Sequence, residues 1–215
     1  MKRRFALGSV KGIEDFGRVQ LSETFFVRDF LYSTIAVHHG LKNLPDDPET
    51  FIEAGTRFCE TILEPIQKTF GRVVIRSAYR SPEVNDLGRV RYGTCAANEK
   101  NYAAHIWDYR TQEEGLLGAS ATIVIPAYLE HYEKTGEWKP LAWWLHDHLD
   151  YNEMCFFTKL CAFNIGWREK PTRRIENWID TKRLLTKPGM DNHIGSHRDA
   201  YAHVDFLAEQ SFNSK

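Results

Sequence analysis

Two histidine clusters carry the side chains of this sequence that are best suited to chemistry. His146 and His148 are separated by one residue, so on a strand they would point to one face as a pair of metal ligands. The alternative is an exposed polar turn after an aromatic run. His193, His197 and His203 crowd the C-terminal part of the chain, where the alternative is a solvated polar tail.

Other catalytic and metal-binding motifs are absent from the sequence. The four cysteines form no CxxC pair, so neither a zinc knuckle nor a thioredoxin-like site is indicated, and buried free thiols in a reducing compartment are expected. The sequence contains no GxSxG, no HExxH and no glycine-rich phosphate loop. Serine-hydrolase, zincin and nucleotide-binding chemistry are therefore not predicted.

Composition places the chain among ordinary globular proteins. Hydrophobic residues make up 42% and charged residues 27% of its 215 residues, and the formal net charge is -1. A nearly neutral chain has no overall attraction to nucleic acid or to an anionic membrane, so neither partner is expected. The basic N-terminus lacks the apolar run of a signal peptide, and no segment reaches the ~20 apolar residues of a membrane span. A cytoplasmic location is predicted.

The clearest predicted element is a helix over residues 48–70, with apolar side chains at helical spacing. Pro65 predicts a kink near its last turns, Gly71 its end, and residues 73–75 a short strand. Ser22 is expected to begin an earlier helix that ends near Gly40, after a loose arm of residues 1–20.

The second half of the chain has a weaker pattern. Residues 77–97 are predicted as a loop, 103–109 as a strand, 119–125 as a strand or buried segment, 126–133 as a helix and 153–167 as two strands, while 141–149 stay ambiguous. Helices followed by mixed elements indicate an α+β fold.

Several motifs follow one another in the order typical of a known family. They are Leu21-Ser-Glu-Thr, Leu41-Lys-Asn-Leu-Pro, Ile62-Leu-Glu-Pro-Ile, Phe70-Gly and Val74-Ile-Arg-Ser-Ala-Tyr-Arg-Ser-Pro-Glu-Val-Asn85. Together they resemble the zinc D-Ala-D-Ala carboxypeptidases, a group that includes many phage endolysins and has the pattern LEPIR, strand, SGYRSPxxN. The resemblance implies a hedgehog/DD-peptidase fold: a small antiparallel sheet with flanking helices and a C-terminal extension.

The resemblance also implies a zinc site held by His, Asp and a second His. Its HxxGxAxD motif puts the aspartate on Asp108 but the first histidine on Asn101. Ala162-Phe-Asn-Ile-Gly resembles the strand of the second histidine, which then falls on Asn164. Because an amide oxygen is a poor zinc ligand, the usual zinc site looks degenerate, and these two asparagines become candidate substrate-binding residues.

Two histidines could restore a metal site at Asp108. His105 lies three residues before it, although on a strand the two side chains would point to opposite faces. His203, in a segment that faintly mimics the family's second ligand motif, could meet Asp108 if the tail folds back over the pocket. Zinc is therefore an expected cofactor only if such a rearrangement exists; otherwise none is expected.

Arg80 lies in a nearly intact copy of the family's SGYRSP loop, which begins at Ser77. In the family this arginine can hold a peptide carboxylate, and a planar guanidinium matches a carboxylate bidentately. Arg80 and Ser77 are therefore expected to bind substrate. The alternative is a structural arginine that bonds loop carbonyls.

The resemblance divides the chain into the N-terminal arm, a core domain of residues 21–170 and a C-terminal extension of residues 171–215 that packs on the core domain. It implies two possible functions. One is a divergent metal-dependent peptidase that acts on amide bonds of cell-wall peptides. The other is a zinc-less, non-catalytic relative that binds a peptide, glycan or protein partner as a phage or prophage component. The expected ligand is a peptidoglycan-like or other small peptide, and release as a phage-type lysis or virion component is the alternative to a cytoplasmic location.

Overall fold

The computed structural model describes residues 5–210, without the side chains of residue 100 and residues 208–210. It contains a six-stranded sheet flanked by helices, which confirms the predicted α+β class. The helices are α1 (Val10–Gly17), α2 (Thr34–His39), α3 (Pro48–Phe58), α4 (Glu64–Phe70), α5 (Pro82–Tyr92), α6 (Glu99–His105), α7 (Pro126–Thr135), α8 (Lys139–His148), α9 (Arg198–Tyr201) and α10 (Asp205–Gln210). The strands are β1 (Val74–Ser77), β2 (Gly118–Val124), β3 (Glu153–Phe156), β4 (Phe163–Arg168), β5 (Arg174–Asn177) and β6 (Leu184–Thr186).

The sheet is mixed, with strand order β1-β2-β4-β3-β5-β6. Neighbouring strands are antiparallel except β3 and β5, which run parallel. After β4 the chain crosses β3 and places β5 on the far side of β3. There β5 runs in the same direction as β3. The expected purely antiparallel sheet is therefore corrected to a mixed one, and its last two strands come from the segment predicted as a C-terminal extension.

One face of the sheet carries the main hydrophobic core. Ala121 and Ile123 of β2 and Ile165 of β4 are buried, and both strands contact α3. Trp107 is fully buried and stacks on Phe51 of α3, with the ring centroids 5.0 Å apart. Because side chains alternate between the two faces of a strand, the residues between these core positions point to the opposite face, where the candidate site lies.

The helical region of residues 48–70 forms largely as predicted. The Asp47 carboxylate caps α3 by accepting hydrogen bonds from the backbone N–H groups of Glu49 and Thr50. Pro65 has no N–H to donate, and a π-helical turn, Cys59–Leu63, lies just before it. The irregularity predicted near Pro65 is therefore a wider helical turn.

Two helices replace elements that the sequence predicts differently. α5 lies within the predicted loop 77–97, and α6 covers the start of the predicted strand 103–109. The Ser81 side chain caps α5 and Gly93 ends it in a left-handed conformation, while the Asn98 side chain caps α6. These capping residues indicate the two helices in the sequence. Both helices lack a clear apolar stripe, so hydrophobic periodicity does not predict them. Because His105 ends a helix, the alternation of side chains along a strand does not place its side chain and that of Asp108 on opposite faces.

The N-terminal part is also more regular than predicted. Within the described part of the predicted arm, α1 buries Phe16, whose ring centroid lies 5.5 Å from that of Phe51. Leu21 begins a turn rather than a helix, and a short 3-10 helix, Val27–Phe30, follows it before α2. The apolar residues at helical spacing over 26–35 therefore lie on separate short elements, and only Phe30 of Phe26, Phe30 and Ile35 is buried.

The ambiguous segment 141–149 belongs to α8, against which α9 and α10 pack. Successive residues of a helix turn around its axis, so His146 and His148 do not form the ligand pair that a strand would give. Across residues 5–210 there is no helix whose length and apolar character would let it cross a membrane.

Candidate functional site

A row of polar side chains crosses the sheet on the face opposite the main core. Strand register pairs Ser77 with Thr122, Thr122 with Asn164, Asn164 with Cys155, and Cys155 with Glu176. The Ser77 hydroxyl donates to Thr122 Oγ1 at 3.0 Å, and the Thr122 hydroxyl donates to Asn164 Oδ1 at 2.5 Å. This polar row brings Ser77 and Asn164, both predicted site residues, into one hydrogen-bonded chain.

A pocket of about 270 Å³ lies between this sheet face and α6. We call it the sheet-face pocket. Its lining includes Asn101 and His105 of α6, Asn164 of β4, and Glu176 and Trp178 at the β5 end. Three residues that the sequence analysis selected therefore line one cavity. Ser77 does not line the pocket but is connected to Asn164 through the Thr122 hydroxyl.

His105 is the half-buried imidazole of the sheet-face pocket. The Ser120 hydroxyl donates to the Ala104 carbonyl at 2.9 Å, so its oxygen is left to accept from His105 Nδ1 at 3.2 Å. This pattern gives the neutral tautomer with the proton on Nδ1 and a free lone pair on Nε2. Burial, with a smaller contribution from the positive charge of Arg80, lowers the pKa of His105 to about 3. His105 is thus a hydrogen-bond acceptor over the whole neutral range.

Two of the three asparagines that line the pocket, Asn101 and Asn164, offer amide groups to a ligand. Asn164 Oδ1 accepts from Thr122, and its Nδ2 has no hydrogen-bond partner among the described residues. Asn101 is exposed, and its side chain makes no hydrogen bond within the same part of the chain. An amide presents both donor and acceptor, which are the groups that pair with a peptide bond.

Arg80 lies next to this pocket. Its backbone N–H donates to the His105 carbonyl at 2.9 Å, and its half-buried guanidinium is close enough to influence the pKa of that imidazole. Burial lowers the pKa of Arg80 from its usual value. No described residue forms an ion pair or a side-chain hydrogen bond with the guanidinium, so the predicted alternative of a structural arginine that bonds loop carbonyls is not observed.

Asp108 has a structural role in the described fold. Its Oδ2 accepts hydrogen bonds from the backbone N–H groups of Asp46 at 2.8 Å and Asp47 at 3.0 Å, directly before α3. The Tyr79 hydroxyl faces the same carboxylate without a hydrogen bond of standard geometry. Burial raises the pKa of Asp108 above its usual value. The carboxylate thus anchors the start of α3, and it is not part of the pocket lining.

The structure does not bring His105, Asp108 and His203 together as a metal-ligand set. His203 is exposed, with its Nε2 3.4 Å from the Glu137 carboxylate. The lining of the sheet-face pocket includes the His105 imidazole, three asparagine amides, the Cys155 thiol and the carboxylates of Glu153 and Glu176. Among the described residues there is no group of three or more His, Cys, Asp and Glu side chains that could hold a metal ion.

The remaining tail histidines join the C-terminal segment to α8. His146 Nε2 donates to the His193 carbonyl at 3.0 Å, and the Tyr151 hydroxyl donates to His146 Nδ1 at 2.7 Å. His197 Nδ1 lies 2.6 Å from the Asp147 carboxylate and stacks on Trp143. The tail therefore folds onto α8, and these histidines hold it there.

Several pocket residues escape prediction from the sequence. Cys155 and Glu176 join the site through strand register, which aligns residues far apart in the chain, and Trp178 follows directly after β5. The local signal was the polar residues Ser120 and Thr122 inside the largely apolar strand β2.

No protein-family model, no curated protein and no solved structure matches this chain.

Proposed function

We propose that this protein binds a peptidoglycan-type peptide by its C-terminal carboxylate in the sheet-face pocket and does not cleave it. The observation that carries this proposal is the half-buried guanidinium of Arg80, which has no anionic partner among the described residues. Taking a cation out of water is unfavourable unless a counter-charge compensates it. A ligand carboxylate would supply that charge through two parallel hydrogen bonds.

The polar groups beside Arg80 match the backbone of a peptide. His105 Nε2 can accept a peptide N–H, and the amides of Asn101 and Asn164 can pair with peptide groups in either direction. The pocket volume of about 270 Å³ suits a few residues rather than a folded partner. These features support a short peptide with a free C-terminus as the ligand.

Replacing Arg80 by glutamine is expected to weaken binding of a pentapeptide that ends in D-Ala-D-Ala by about 10- to 100-fold, because a charge-assisted hydrogen bond is lost. Isothermal titration calorimetry measures this directly. The same peptide with an amidated C-terminus should bind wild type as weakly as the free acid binds the Arg80→Gln variant.

The matched control is Arg76→Gln, which removes an exposed guanidinium from β1 of the same sheet. It should leave the affinity within about twofold, since an exposed charge contributes little. Equal binding of the acid and the amide by wild-type protein would refute the proposed carboxylate recognition.

Cleavage of a cell-wall peptide is the second candidate function. One observation favours it: the pocket gathers positions 101, 105 and 164, which lie at or near the positions of the zinc ligands in the resemblance. Protein purified without chelator can be analysed for metal and incubated with the same pentapeptide. Stoichiometric zinc together with release of D-Ala would favour the peptidase and overturn the non-catalytic proposal.

A further inference from the structure

Trp178 is a large aromatic surface at the β5 end of the sheet-face pocket. It lies directly after β5, lines the pocket and is 60% exposed, whereas Trp107, Trp138, Trp143 and Trp144 are buried. An indole that is 60% exposed contributes little to the hydrophobic core. Its place in the pocket lining, rather than its exposure alone, makes Trp178 a candidate for ligand binding.

The indole is held in a defined orientation. The guanidinium of Arg183 lies over the ring at 3.6 Å from its centroid, and the backbone N–H of Trp178 donates to the Phe156 carbonyl at 2.8 Å. The Cys155 thiol is also beside it. Arg183 covers one face of the ring, and the residue as a whole remains 60% exposed. A ligand would meet an aromatic surface that is already ordered, which lowers the entropic cost of binding.

Polar groups that suit hydroxyl recognition line the same pocket as Trp178. Glu176 and Arg174 form an ion pair on β5, and Glu153 of β3 lines the same end of the pocket. A carboxylate can accept from two neighbouring hydroxyls, and a guanidinium donates to ring or carbonyl oxygens. A flat aromatic surface next to carboxylates fits a sugar ring, which has apolar C–H faces and a polar edge.

The distance across the sheet leaves room for a sugar and a short peptide together. Ser120 on β2 is separated from β5 by the strands β4 and β3, so three strand spacings of about 4.8 Å give roughly 14 Å. The peptide end of the pocket, at His105, and Trp178 are therefore different ends of one elongated cavity.

We propose that a pyranose ring of the ligand stacks on the free face of Trp178, so that the ligand is a glycopeptide rather than a free peptide. This inference rests on the proposed function, since the peptide part of the same ligand occupies the end near Arg80. The sugar adds a second contact and does not replace the first.

The test compares an N-acetylmuramyl-pentapeptide with the same pentapeptide lacking the sugar, by calorimetry on the full chain. Wild type should bind the glycopeptide about 10-fold more tightly than the peptide, in the range expected for one aromatic contact. Trp178→Ala should abolish that difference and leave the affinity for the free peptide within about twofold. Trp178→Phe should retain most of it. Tyr32→Ala, which removes another exposed aromatic side chain, is the control and should change neither affinity.

The outcomes separate this inference from the proposed function. If both ligands bind equally and Trp178→Ala changes nothing, the sugar contact is refuted while peptide binding stands. If neither ligand binds wild type, the proposed function and the inference both fail. Circular dichroism of each variant shows that a loss of binding is not a loss of folding, because an exposed side chain contributes little to stability.

Discussion

Replacing Asp147 by asparagine is expected to lower the free energy of unfolding by about 3 kcal/mol, and the Tm by roughly 6–12 °C. The Asp147 side chain is 9% exposed and that of its partner His197 is 12% exposed. The carboxylate accepts from His197 Nδ1 at 2.6 Å, from the His197 backbone N–H at 2.7 Å and from the Tyr201 hydroxyl at 3.1 Å. An asparagine cannot satisfy these three donors.

The surroundings of His197 explain why the carboxylate matters. His197 Nε2 also lies 3.0 Å from the Asn192 carbonyl, so the imidazole links α8 to two parts of the C-terminal segment. Loss of the Asp147 carboxylate would leave buried donors of His197 and Tyr201 without a full set of acceptors.

A chemical denaturation series measures the effect. The control Asp150→Asn removes a 75% exposed carboxylate that pairs with Arg173 at 3.5 Å, and should cost no more than about 0.5 kcal/mol. Equal stabilities of Asp147→Asn and Asp150→Asn would contradict a buried, hydrogen-bonded carboxylate that holds the C-terminal segment on α8.

Acidification from pH 7 to pH 5 is expected to reduce stability by about 2 kcal/mol for each of two neutral histidines, the half-buried His105 and the buried His146. Burial is the main cause that lowers the pKa of His105 to about 3 and the pKa of His146 to about 4. In the unfolded chain both should titrate near 6.5. At pH values between the folded and the unfolded pKa of each histidine, the unfolded state binds more protons than the folded state. The stabilising contribution of each neutral histidine is therefore fully present above about pH 7 and is lost as the pH falls through 6.5.

Urea unfolding at a series of pH values tests this dependence. His105→Gln and His146→Gln should each flatten the curve between pH 7 and pH 5, and the double variant should flatten it most. Carboxylates with lowered pKa, such as Glu64, titrate in a lower range and do not act in this window. A wild-type curve that is flat from pH 7 to pH 5 would show that these imidazoles are not held neutral.

Elements with strong local signals could be predicted from the sequence. The helical region of residues 48–70 has a regular apolar stripe, a capping Asp47 and a terminal Gly71, and β2 and β4 lie where apolar runs predicted strands. α5 and α6 were missed because their signals lie in their caps rather than in periodicity. The parallel β3–β5 pair could not be foreseen, since it depends on where β5 docks after leaving β4.

Only part of the candidate site could be predicted, because strand register determines which other residues join it. The sequence analysis selected Arg80, Asn101, His105 and Asn164, and the fold places the last three around one pocket with Arg80 beside His105. The positions of Glu176 and similar residues depend on strand register, which local sequence does not specify. Asp108 was expected at the site because its spacing matched a motif, but its carboxylate instead holds the start of α3.

The most direct test of peptide binding is a crystal structure of the wild-type protein with the D-Ala-D-Ala pentapeptide. We expect the terminal carboxylate to lie about 2.7–2.9 Å from the Arg80 guanidinium nitrogens, with the peptide backbone against His105 and Asn164. A peptide bound elsewhere, or an Arg80 side chain paired with a carboxylate of the protein itself, would contradict this account.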